Sequence, residues 1–248
     1  MQRVIHMKYS NSMQIKPEKI ELSCPEAEIY QRLLRLDNSD IVELGCGRAD
    51  ITRDIASGGS GRRVFAFEVD EAAHEANLQI TDLPNVTFDL AGAESIPLAD
   101  ASVDVVLMFK SLHHVPRELM KPAMHEIHRV LKPGGQLYVS EPIYAEDFNE
   151  ILRQFHDEQQ VREAAFNTLQ QAVETGLFEL VEETFFNSPM RFDDFADFDN
   201  KVINATHTEH RLDEALYQQV KARFAAHQGE DGAHFEMPIR VDLLRRPA

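Results

Sequence analysis

Gly45 and Gly47 bracket Cys46 directly after the run Ile41-Val42-Glu43-Leu44, and this is where the chain is built to meet a ligand at close range. A β-branched strand that stops at glycines lets backbone approach a ligand where any Cβ would collide. The stretch from Arg48 onward reads as a helix, and its first N–H groups and positive dipole end face the same space. Glu68 ends a second apolar run, Val64–Phe67, roughly 25 residues past the glycine turn, where dinucleotide-type sites place an acid. A carboxylate there can accept hydrogen bonds from vicinal ribose hydroxyls, and it disfavours a 2′-phosphate. Lys110, His113, His114 and Glu141 fall at the ends of two later strand-like runs, where a group able to take or hold a proton would sit.

These groups need a scaffold that brings strand ends together. A helix is expected from about Ser23 or Cys24 to Leu36, with Ile29, Leu33, Leu34 and Leu36 as its apolar face. Strands are expected at 40–44, 64–67, 86–90, 104–109 and 136–140, with helices at 48–57, 71–80 and 117–131 between them. The breakers Gly58-Gly59 and Pro133-Gly134-Gly135 punctuate the series. Strands alternating with helices of this size indicate βαβ units and a parallel sheet. Further on, a continuous helical stretch is expected over 146–175, a strand at 178–186, helices at 193–204 and 211–227, and a closing strand at 235–244.

The fold class is therefore α/β: a Rossmann-like, doubly wound, mostly parallel sheet of seven strands whose last strand is antiparallel, with helical insertions covering the ligand edge. A single domain over 1–248 is expected. It comprises an N-terminal arm or lid at 1–22, a ligand-binding core at 23–142, and sheet completion with covering helices at 143–248.

Bulk composition bounds the partners. Lys+Arg number 25 against 42 Asp+Glu, a formal net charge of −17 over 248 residues. So acidic a surface repels phosphate backbones and anionic lipid, so neither nucleic acid nor membrane is the expected partner. The two cysteines, Cys24 and Cys46, form no disulfide framework, and no signal-like or membrane-length apolar run occurs. A cytoplasmic monomer or homodimer acting on a small molecule is the expectation.

Taken in order, the motifs resemble those of the class I S-adenosylmethionine (SAM)-dependent methyltransferases of the small-molecule type. Glu43-Leu44-Gly45-Cys46-Gly47 is similar to the family's first motif, which wraps the methionine end of the cofactor. Glu68, with Val69 beside it, resembles the acidic ribose-binding position. Ala93-Glu94-Ser95-Ile96-Pro97 and the strand running to Phe109-Lys110 resemble the adenine-side loop and the fourth strand. Leu112-His113-His114-Val115 and Arg129-Val130-Leu131-Lys132-Pro133-Gly134-Gly135 complete the series. The resemblance implies SAM as cofactor and S-adenosylhomocysteine as product. It implies cofactor contacts from Glu43, Gly45, Cys46, Gly47, Glu68, Val69, Ala93, Glu94, Phe109 and Lys110. His113 and His114 are the candidate catalytic bases, and Tyr9, His114 and Glu141 the candidate acceptor contacts.

Two departures stand out. Ala49 replaces a glycine frequent in the family, a mild change if the backbone there is helical. Gly92 stands where many relatives carry an Asp that contacts the adenine amino group. That bond must then come from backbone, from Glu94 or from water. Asp50 occupies the place of the third glycine of Gly-x-Gly-x-x-Gly. An acid there opposes a pyrophosphate and tolerates a zwitterionic methionine tail, which favours SAM over a nicotinamide dinucleotide.

Other groupings point to structure. His125-Glu126-Ile127-His128 is one residue short of the His-Glu-x-x-His zinc spacing, and His207 with His210 beside Glu209 lacks a third ligand. Asp193, Asp194, Asp197 and Asp199 lack the glycine of a calcium loop and start a helix with Phe192, Phe195 and Phe198 facing inward. No metal is expected. A SAM-binding regulatory protein without catalysis and a nicotinamide-dependent oxidoreductase are the alternatives to a methyltransferase.

Overall fold

The glycine turn is held by an alternating series of elements in a computed structural model that describes residues 13–204 and 212–248. In order, α1 (Glu26–Leu33), β1 (Asp40–Leu44), α2 (Asp50–Ser57), β2 (Arg63–Glu68), α3 (Glu71–Asn77), β3 (Val86–Leu90) and β4 (Val103–Phe109) build the first half. A short 3-10 turn at Leu112–His114, α4 (Arg117–Val130), β5 (Leu131–Pro142), α5 (Glu146–Leu152), α6 (Gln159–Glu174) and β6 (Glu179–Phe192) follow. The chain closes with α7 (Phe195–Phe198), a π-helical turn at Asp199–Ile203, α8 (Glu214–Ala225), the two-residue β7 (Gln228–Gly229) and β8 (Gly232–Arg245).

The strand order is β3-β2-β1-β4-β5-β8-β6, with β7 paired to β8 outside that path. The pairs among β1 to β5 are parallel, and β8 lies antiparallel to both β5 and β6. The main path thus has seven strands with an antiparallel last strand, the doubly wound arrangement expected from the sequence. The reversal of order between β1 and β4 opens a crevice beyond their carboxyl ends, where open α/β sheets bind ligands.

From Val105 onward, the residues of β4 divide by parity between two buried layers. Val106 and Met108 join the core beneath α4 and α6, whereas Val105, Leu107 and Phe109 join the core beneath α1 and α2. A third, aromatic core gathers Phe148, Phe192, Phe198, Phe224 and Phe235 under α5, α7 and α8. It lies against the outer end of the antiparallel β6–β8 pair.

Three expectations change. The helical stretch at 146–175 is two helices, broken over 153–158. There Asp157 accepts the amide of Gln159 at 3.1 Å and starts a new helix. The expected helix at 193–204 is a single α-turn that passes into a π-turn. The described end of the N-terminal arm runs beside β6, where Cys24 N donates to Asn187 O and Asn187 N donates to Leu22 O. Met13 is buried in the core beneath α4 and α6. Tyr9, like His207, Glu209 and His210, lies outside the described residues.

Candidate active site

The glycine turn is pinned to β2 from both sides. The amides of Gly45 and Cys46 both donate to Phe67 O, at 2.9 and 3.1 Å. Gly45 has φ +76°, and a Cβ there would stand 2.7 Å from Ser111 Cβ, at the end of β4. The Ser111 hydroxyl in turn donates to Leu44 O at 2.7 Å. Gly47 has φ +54°, and nothing lies within 4 Å of where its Cβ would be. The first glycine is therefore required by packing between strand ends; the second keeps left-handed backbone bare on the open side.

Glu68 closes the far wall. Its Oε2 accepts the Gly47 amide at 2.7 Å, while Oε1 accepts from Val69 N at 2.8 Å and Asp70 N at 3.0 Å. Three backbone donors thus fill three of the roughly four acceptor positions of an ionised carboxylate, leaving one on Oε2. Val69, next along, is 67% exposed, an apolar surface beside a braced acid. Asn77 of α3, buried, donates to Gly47 O at 2.8 Å and meets Cys46 Sγ at 3.5 Å. Nothing in the local pattern singles out Asn77, which reads as one more polar helix residue.

Beneath the turn, Glu43 is 2% exposed and its Oε2 accepts from Thr52 Oγ1 of α2 at 2.6 Å. Burial pushes its carboxyl up to about 8, against the opposing pull of the Thr52 hydroxyl. Burial likewise raises the Cys46 thiol far above the ordinary range, so this cysteine is an inert filler. Ala49 is a correction. Its backbone is not right-handed helical but left-handed, with φ +62°, at the N-cap of α2. Past the end of β3, Ala93 is buried, and the Glu94 carboxylate occupies the space a Cβ on Gly92 would take.

The side chains of Phe109 and Lys110 have partners within the protein. The Phe109 ring packs against Tyr30 at 5.7 Å and Tyr138 at 5.4 Å, in the core beneath α1. Lys110, with φ +53°, puts its Nζ 2.5 Å from Glu26 Oε2, and Ser140 Oγ donates to the other oxygen of Glu26. Their backbone alone reaches the strand end.

A second polar group forms where the 3-10 turn meets β5 and α6. His113, buried, has Nδ1 at 2.5 Å from Glu141 Oε2 and Nε2 at 3.5 Å from Glu158 Oε1. The other Glu141 oxygen accepts from Leu112 N at 2.9 Å. Burial opposes a charge on His113, but Glu141 and Glu158 outweigh it and hold the imidazole up at about 9. Glu158 is also held by Arg162 Nη2 at 2.6 Å and His156 Nε2 at 2.9 Å. Its carboxyl stays far below the usual range: burial would raise it, and the histidines and Arg162 overcome that. His114 is exposed, its ring centroid 4.1 Å from that of His113. Sequence reasoning missed Glu158 and Arg162 because it ran one helix through them.

The comparisons with known proteins agree with this geometry. Residues 42–139 match the family described as a methyltransferase domain. A probable SAM-dependent methyltransferase of Mycolicibacterium smegmatis is 35% identical over 163 residues, covering 63% of this chain and 58% of its own length. Over residues 42–139 the chain is thus similar to SAM-dependent methyltransferases. The chain is also 37% identical over 97 residues to the ubiquinone/menaquinone biosynthesis C-methyltransferase UbiE of Rubrivivax gelatinosus, covering 39% of this chain and 36% of the relative. The chain spans about half the length of the curated relatives it matches. Two solved structures share the fold of this chain at low identity. The YcgJ protein of Bacillus subtilis gives a TM-score of 0.60 at 15% identity, covering 90% of this chain and 97% of that one. The cyclase SpnF gives 0.56 at 19%, covering 90% and 79%. Among the described residues, no helix is long and apolar enough to cross a membrane.

Proposed function

We propose that this protein transfers a methyl group from SAM to a small-molecule acceptor. The observation that carries the reading is the Glu68–Gly47 bond: a carboxylate braced by three amides, keeping one acceptor position beside bare left-handed backbone. That arrangement fits a ribose hydroxyl against Glu68 and a methionine tail along the turn, with Glu43 buried below it. Val69, Ala93 and Glu94 flank the adenine side. The Glu94 carboxylate, filling the place left by Gly92, is the group we assign to the adenine amino group. Phe109 and Lys110 contribute backbone only.

When bound, SAM supplies a sulfonium-activated methyl that departs from a neutral thioether, so the protein's own task is to orient the acceptor and manage its proton. His113 is held between two carboxylates and serves as a positioning residue. His114, the exposed member of the pair, is assigned to the acceptor, with Glu141 fixing the loop from below. A nucleic acid acceptor is disfavoured by the net charge of −17.

A second reading, SAM binding without methyl transfer, is supported by the fold match to the cyclase SpnF. Calorimetric titration with SAM, S-adenosylhomocysteine and NAD tests the cofactor assignment. Saturable binding of the first two and none of NAD is expected, and no SAM binding at millimolar concentration would sink both readings. A screen for methyl transfer to small hydroxyl, amine and thiol acceptors separates the first reading from the second.

A further inference from the structure

The group around Glu158 has the makings of a second site. The side chains of His113, His114 and Glu158 each offer one ligand atom, all within 4.8 Å of one another. Donors about 2.1 Å from a tetrahedral ion stand roughly 3.4 Å apart, so His113 Nε2 and Glu158 Oε1, at 3.5 Å, already have ligand spacing. His114, on the surface side, places a ring nitrogen within 4.8 Å of both.

The surroundings suit a metal better than a chance contact. Glu141 Oε2 takes His113 Nδ1, which fixes the ring and aims Nε2 outward, the carboxylate–histidine support typical of metal-bound imidazole. Arg162 occupies Glu158 Oε2 at 2.6 Å, leaving Oε1 as the single donor oxygen. His156, 2.9 Å from that Oε1, would give up its bond when an ion takes the oxygen.

We propose that His113, His114 and Glu158 bind a divalent transition-metal ion, zinc matching the donor set best. Two imidazoles and one carboxylate leave a fourth position open, as catalytic zinc sites do. An acceptor with an oxygen or sulfur donor could take that position and lose its proton more readily. That last step rests on the methyl-transfer reading; the binding of the ion does not.

The test uses the full chain, free of any affinity tag and stripped with a chelator, titrated with zinc chloride against a chromophoric competitor. One ion per chain is expected, with His114→Ala and Glu158→Gln each weakening binding by at least about tenfold. His125→Gln, on the outer face of α4, should leave the affinity unchanged. Cobalt(II) in place of zinc should give the visible bands of a four-coordinate site in the parent protein and lose them in His114→Ala. Circular dichroism of each variant checks that it folds; should Glu158→Gln unfold, the exposed His114→Ala decides alone. No zinc binding at about 100 μM, or binding unchanged in His114→Ala, would overturn the site. SAM binding measured on the same samples shows separately whether the cofactor assignment stands.

Discussion

Glu68 Oε2 accepts the Gly47 amide at 2.7 Å, so the end of β2 and the turn after β1 are one rigid unit before any ligand arrives. A hydrogen bond to a charged partner contributes about 1.5–3 kcal/mol, and here its loss also loosens the backbone the ligand must meet.

Replacing Glu68 therefore acts twice. Glu68→Ala should raise the Kd for SAM by more than about tenfold, read by calorimetry, because both the ribose acceptor and the brace on Gly47 are removed. Glu68→Gln keeps a carbonyl acceptor and should fall between the two. Unchanged affinity in the alanine variant would refute the ribose assignment.

Asn77 holds the same turn from the opposite side. Asn77→Ala leaves Gly47 O without its buried donor, costing about 1–3 kcal/mol. A midpoint drop of roughly 2–4 °C per kcal/mol is expected in a thermal melt. SAM should recover part of that loss on addition, since the ligand restores order to the turn.

Ala49 bears strain that glycine would relieve. A left-handed alanine costs about 1–2 kcal/mol, of which the flexibility of glycine in the unfolded chain returns roughly half. Ala49→Gly should raise stability by about 0.5–1 kcal/mol in urea titration. A destabilised variant would show that the buried methyl packing outweighs the strain.

Glu43 ties stability to pH. Burial raises its carboxyl from 4.5 to about 8 in the folded protein, so the folded state holds a proton that the unfolded chain has released. Its contribution is complete below about pH 4.5 and is lost as pH rises through 8. Glu43→Gln should remove this dependence, so the stability difference between variant and parent shifts towards the variant from pH 5 to pH 8.5. A difference flat across that range would mean Glu43 ionises normally.

The glycine turn, Glu68 and the strand series were legible because each is a local pattern: glycines at a strand end, an acid closing the next strand, helices of βαβ length between. Strand β4 is buried on both faces, so alternation could not tell which layer Phe109 would enter, and its ring went to the α1 side. Ala49 looked helical because helix propensity carries no information on the residue just ahead of the first turn. Glu158 was hidden twice over. Its apolar neighbours keep a helical period across the break, and its partner His113 lies 45 residues away in the chain. Contacts of that kind are set by how layers stack, which no local window contains.

Strand β8 separates β5 from β6, although β6 is made about 40 residues earlier. Until residues 232–245 leave the ribosome, β5 presents an uncovered edge and β6 has no neighbour to join. Exposed edges of that kind recruit strands from other chains. Newly made protein should thus depend on chaperones through this interval, and depleting chaperones during translation in a cell extract should lower soluble yield.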